Sequence, residues 1–225
     1  MMDIAREARA ALAREWLLQE DGPVHIKLCG MSREEDVAAV NDALPDMVGF
    51  VCDFPKCHRN VSSARMGQLA GLVDERVYTV GVSVDLSFGR VGHNARRFVD
   101  MVQLHGNEDN DYISGLRTRM VGGIIQAFRI RSRADVRRAL ASAADMVLLD
   151  AGAGTGRSFD WSLVEGFAER RPFILAGGLT PDNVGDAIDY LHPWGVDMSS
   201  GIETNNLKDP DKIRAAVAAV RRTDG

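Results

Sequence analysis

Eight short apolar runs, spaced along most of the chain, constrain this sequence more than any other feature. They cover residues 24–29, 46–52, 77–84, 98–105, 124–130, 146–150, 172–176 and 195–199. Most are continuously apolar rather than alternating, which is the pattern of strands buried on both faces. Helix-like stretches lie between them and open on good capping residues. Ser32, Ser62, Ser87, Asp109 and Ser132 start five of these stretches, and Thr180-Pro181 and Asp209-Pro210 start two more. A side-chain oxygen at the cap satisfies an otherwise unpaired backbone N–H, and proline fits the first helical position. Strands alternating with helices predict a parallel sheet, and eight such strands close a barrel. The expected fold class is therefore α/β, a parallel eight-stranded (β/α)8 TIM barrel. A doubly wound sheet would carry a glycine fingerprint after its first strand, and Cys29-Gly30-Met31-Ser32 lacks it.

Residues 1–22 precede the first run and are expected to form a helical extension, with the barrel over 23–225. Ile4, Ala8, Leu12 and Trp16 recur every fourth residue, which predicts an amphipathic helix packed over one barrel end. Arginines and glutamates interleave along it, so it does not read as a targeting segment. With 225 residues, 45% of them hydrophobic, the chain can bury a substantial core. A net charge of −5 without a basic stripe argues against nucleic acid as a partner. No apolar stretch is long enough for a membrane helix. Cys29, Cys52 and Cys57 are odd in number and lack metal-ligand spacing. They read as free thiols in a reducing, cytoplasmic setting, with no metal site expected. A monomer or a homodimer fits equally.

Chemistry-bearing residues gather where the runs stop, the end of a barrel where active sites lie. Cys29 closes the first run and is followed at once by a glycine and a helix start, a setting that favours a thiolate. Asp150 closes the sixth run and leads into a long glycine-containing loop over 151–158. Gly177-Gly178 and Ser200-Gly201 follow the seventh and eighth runs, where barrels commonly bind phosphate through backbone N–H groups. Strands six and one would then flank a phosphate held between them, with one proton-transferring group on each side of a sugar phosphate. Gln103 and His105, two apart at the end of the fourth run, point the same way, as do Asp197 and Ser199 on the eighth. Arg59 lies in the loop after the second run, and arginine grips carboxylates through a bidentate fork.

In order along the chain, KLCG, FPKCHR, VQLHG, LLD, GTGRSFDW, LAGGLTPDNV and VDMSSGIE resemble the phosphoribosylanthranilate isomerases of tryptophan biosynthesis. The resemblance runs from about Val24 to about Val220. It implies a (β/α)8 barrel that performs an Amadori rearrangement of N-(5-phosphoribosyl)anthranilate without metal or organic cofactor. It further implies Asp150 as general acid, Cys29 as general base and Arg59 as the anthranilate carboxylate's partner. Gly177, Gly178, Ser200 and Gly201 would hold the phosphate, and Gln103, His105 and Asp197 would line the same mouth. A related histidine-pathway isomerase would place an aspartate where Cys29 stands and show half-barrel repeats. A pentose-phosphate epimerase would want metal ligands at several strand ends. A non-catalytic phosphate binder would not need Cys29 and Asp150.

Overall fold

In the computed structural model, which describes residues 4–150 and 161–224, the eight runs form eight parallel barrel strands. These are β1 (His25–Cys29), β2 (Met47–Cys52), β3 (Tyr78–Ser83), β4 (Met101–Leu104), β5 (Ile124–Arg129), β6 (Met146–Asp150), β7 (Phe173–Ala176) and β8 (Gly195–Met198). Each pairs with its sequence neighbours, and β1 pairs with both β2 and β8, which closes the ring. The helices are α1 (Ile4–Leu17), α2 (Glu34–Ala43), α3 (Ser63–Ala70), α4 (Phe88–Phe98), α5 (Asn110–Arg117), α6 (Arg133–Leu140), α7 (Val184–Leu191) and α8 (Pro210–Arg221). The larger hydrophobic cluster lies between strands and helices, and a second one fills the barrel.

The caps at Ser62, Ser87, Asp109, Ser132 and Asp209 are as expected, each accepting a hydrogen bond from a backbone N–H in the first turn. Four expectations need correction. The second helix is capped at Arg33, because the Asp36 carboxylate accepts from the backbone N–H groups of both Ser32 and Arg33. The seventh starts at Val184 after a turn in which the Asn183 side chain accepts from the Thr180 N–H. Phe98 ends α4, so the fourth run becomes strand only at Met101. After β6 the described residues hold a 3-10 turn, Trp161–Leu163, in place of an eighth barrel helix.

Helix α1 does pack over one barrel end, but through a different face. Ala10, Ala13 and Leu17 are buried, whereas Ile4 is 82% and Leu12 58% exposed. A strict spacing of four drifts by about 40° per step on a helix of 3.6 residues per turn, so Ile4 and Trp16 do not share a face. Ala13 and Leu17 join the cluster inside the barrel with Met47, Met101 and Met146, which open β2, β4 and β6. Trp16 packs edge-on to His25 and Trp194 at the same end. Arg9 donates to the Asp100 carboxylate and to the carbonyls of Glu75 and Val77, and Arg14 donates to Asp145. The Trp194 indole N–H donates to the Gln19 carbonyl. The helix thus plugs the N-terminal ends of the strands, opposite the ends carrying Cys29 and Asp150.

Candidate active site

A cavity of about 280 Å³ opens at the C-terminal ends of the strands. Cys29 from the end of β1 and Asp150 from the end of β6 both line it. Between them around the ring, β7 and β8 contribute Gly177, Gly178, Asp197 and Ser200 to the same wall. Arg59, Gln103 and His105 complete the polar lining, and Val51, Phe54, Val82 and Val84 give it an apolar side. A second cavity, of about 270 Å³, lies under α1 and holds none of these residues. The loop over 151–158, which was expected to follow the acid, lies outside the described residues.

The glycine pair after β7 has φ values of +97° and +69°, a conformation that suits glycine. Ser200 begins a short 3-10 turn. Gly201 does not line the cavity. A Cβ on Gly201 would fall 1.9 Å from the Leu179 carbonyl oxygen, so a glycine lets these two turns approach.

Gln103 and His105 share a face as expected, with Gln103 Nε2 3.0 Å from His105 Nδ1. With the amide nitrogen donating there, the ring proton sits on Nε2, which faces Asp150 Oδ2 at 3.8 Å. Arg59 is fixed by a partner that sequence reasoning did not single out. Its Nε and Nη2 donate to the two oxygens of Glu203 at 2.5 and 2.8 Å. Lys208 donates to the same carboxylate at 2.8 Å. Burial opposes ionisation of Glu203, but the bonds from Arg59 and Lys208 prevail and hold its pKa down to about 2. The short strand Asn60–Val61 pairs with Val51 and Cys52 and so anchors the loop that carries Arg59 over the mouth.

The other missed residue is Lys27. It is fully buried inside the barrel and donates to Asp197 Oδ1 at 2.9 Å. Burial favours its neutral amine, yet Asp197 and Cys29 outweigh that, and its pKa is raised. Asp197, expected to contact substrate, is therefore already engaged from below. Burial pushes the Cys29 thiol above its ordinary range, and the nearby Lys27 only partly offsets this. All three cysteines are free thiols.

A thiol and a carboxyl group thus face one cavity from opposite sides, with the turns after β7 and β8 between them. The family model for N-(5'-phosphoribosyl)anthranilate isomerase matches residues 26–219. The chain belongs to the N-(5'-phosphoribosyl)anthranilate isomerase family. The isomerase of Endomicrobium trichonymphae is 39% identical over 202 residues, 87% of this chain and 98% of that protein. The crystal structure of the Thermotoga maritima isomerase superposes with a TM-score of 0.81 at 32% identity, covering 88% of this chain and 99% of the other. A further isomerase structure, in complex with reduced 1-(o-carboxyphenylamino)-1-deoxyribulose 5-phosphate, gives a TM-score of 0.79 at 32% identity, covering 88% of this chain and 99% of the other. The family match begins at Ile26, inside β1, so α1 lies outside it.

Proposed function

We propose that this chain converts N-(5'-phosphoribosyl)anthranilate to 1-(2-carboxyphenylamino)-1-deoxyribulose 5-phosphate, with Asp150 as general acid and Cys29 as general base. The observation that carries the reading is the placement of these two groups on opposite flanks of one cavity, with the β7 and β8 turns between them. A phosphate on the N–H groups around Gly177, Gly178 and Ser200 anchors the sugar within reach of both.

Asp150 gives its proton to the furanose ring oxygen. The bond from that oxygen to C1 breaks as the anthranilate nitrogen's lone pair forms a C1=N bond. The resulting iminium acidifies the C2 proton, which the Cys29 thiolate removes. That C–H pair becomes a C1=C2 bond, the nitrogen regains its lone pair, and the sulfur is left as a thiol. The enolamine then loses its O2 proton and gains one at C1 to give the ketone. The substrate nitrogen serves as electron sink throughout, so side chains suffice. The Arg59 edge that carries Nε and Nη2 is taken by Glu203, so the anthranilate carboxylate would meet the guanidinium through its other N–H groups. The apolar side at Val51, Phe54, Val82 and Val84 suits an aromatic ring.

Loss of anthranilate-adduct fluorescence on incubation with purified protein tests the activity. A well-placed acid or base contributes about 10²–10⁴-fold. Cys29→Ala and Asp150→Asn should each lower kcat by at least that much while a reduced product analogue still binds. Near-normal kcat in either variant removes that residue from its role.

A further inference from the structure

We propose that Lys27 is the positioning residue for the catalytic thiolate: its ammonium, held by Asp197 beside the Cys29 sulfur, supplies the positive charge that lets this buried thiol serve as a base. The inference rests on Cys29 being the base, and it concerns what makes that base usable.

The geometry begins with the strand. Lys27 and Cys29 are two apart on β1, so both side chains point into the barrel, with Lys27 one layer below. The register of β1 and β8 sets Lys27 beside Asp197, and the two form a 2.9 Å ion pair. Gly49 lies next to Cys29 on β2. A Cβ on Gly49 would fall 2.9 Å from Cys29 Sγ and 3.1 Å from Lys27 Nζ, so sulfur and ammonium both border the space left by the missing side chain. The Lys27 charge favours the Cys29 thiolate from there. An ammonium has three N–H donors and accepts nothing, so it can serve Asp197 and the sulfur at once.

Stability alone is a poor reason for such a pair. Two charges taken out of water gain little over apolar side chains of the same volume, and the surrounding cluster is otherwise built from Met47, Leu148, Ile174 and similar residues. The neighbours of the sulfur also single out Lys27. Asp197 opposes the thiolate, while Lys208 and Arg59 favour it from outside the strand layer. Both of those outer cations are bound to Glu203, which spends much of their charge. Lys27 shares the sulfur's own strand and is the cation that favours its ionisation most. When the thiolate takes the C2 proton it becomes a neutral thiol, and Lys27 is left balanced by Asp197 alone.

The test is the pH profile of kcat/KM for Lys27→Met and Lys27→Gln. The glutamine keeps a donor toward Asp197 but no charge. An opposite charge at this range moves an acid's ionisation by one to three decades. Both variants should therefore lose about ten- to a thousand-fold in kcat/KM near pH 7.5, mostly in kcat, and the shortfall should shrink as pH rises. Alkylation of Cys29 by iodoacetamide should slow in the same proportion. Profiles that run parallel to the wild type at every pH overturn the proposal and leave Lys27 a structural residue. Should neither variant fold, 15N-lysine NMR of the wild-type protein reads the same coupling. The Lys27 ζ resonance should shift as Cys29 ionises and lose that step in Cys29→Ser, whereas a resonance indifferent to that replacement overturns the proposal. An active Cys29→Ala variant would instead overturn the base assignment itself. An inactive one beside parallel Lys27 profiles would overturn this inference alone.

Discussion

Replacing Leu17 by alanine separates what α1 does for the barrel from what the opposite end does for catalysis. Leu17 is fully buried in the cluster that fills the barrel floor, beside Met101 and Met146 at the starts of β4 and β6. Removing its isopropyl group deletes apolar contacts and leaves a cavity between a helix and a closed strand ring, two rigid bodies that cannot easily collapse. Leucine-to-alanine changes at such sites cost about 2.7–5.0 kcal/mol. The unfolding entropy of a chain this size is about 0.5 kcal/mol per kelvin, so Tm should fall by about 5–10 °C. Differential scanning calorimetry reads that directly. In the same variant kcat and KM at 25 °C should stay near wild type, because Cys29 and Asp150 sit at the far ends of their strands. A Tm within about 2 °C of wild type would mean that α1 does not hold the floor of the barrel, and the packing argument would fail. An unchanged Tm with a lowered kcat would refute the separation of the two ends.

Arg59→Ala should raise KM for the anthranilate substrate far more than it lowers kcat, and steady-state kinetics showing the reverse would place the carboxylate elsewhere. Gly201→Ala forces a Cβ onto the Leu179 carbonyl, so it should push the two glycine turns apart and weaken inorganic phosphate as a competitive inhibitor; an unchanged inhibition constant would contradict this. Glu203 is held well below the usual carboxylate range, to about 2. Its contribution to stability is therefore complete above the unfolded value and disappears as pH falls toward the folded one. The urea midpoints of wild type and Glu203→Gln should differ at about pH 6 and converge at about pH 2.5, and a constant gap would show that the charge of Glu203 is immaterial. Because burial raises the Cys29 thiol, wild-type kcat/KM should climb with pH through the mildly alkaline range; a plateau already reached below neutrality would contradict a buried thiol base.

The barrel is legible in the sequence because its strands are buried on both faces and therefore read as unbroken apolar runs, and because Ser62, Ser87, Asp109, Ser132 and Asp209 cap helices through local hydrogen bonds. Local chemistry also misleads. At Ser32 the Asp36 carboxylate captures two N–H groups and moves the cap by one residue. On α1 a spacing of four marks residues that the drift of the helix turns apart, and the buried face is set instead by the strand ends it meets. Asp150, Cys29 and the glycine turns are visible because strand ends and glycine-rich turns have sequence signatures. Lys27 and Glu203 lie in the KLCG and VDMSSGIE motifs, but nothing in those motifs shows what either residue pairs with. Lys27 sits inside an apolar run, and its partner is 170 positions away. Glu203 follows the last strand, and the arginine it grips is 144 positions away. Only the closed ring brings such pairs together.

The most direct test of the acid–base assignment is a crystal structure of this protein with the reduced product analogue. The analogue's C2 should lie on the Cys29 side at about 3–3.5 Å from the sulfur. The hydroxyl derived from the ring oxygen should lie within about 2.6–3.2 Å of the Asp150 carboxyl. The phosphate should rest on the backbone N–H groups near Gly177, Gly178 and Ser200. An analogue bound with its sugar turned away from either side chain, or with both of its reacting atoms on one flank of the cavity, would contradict the account.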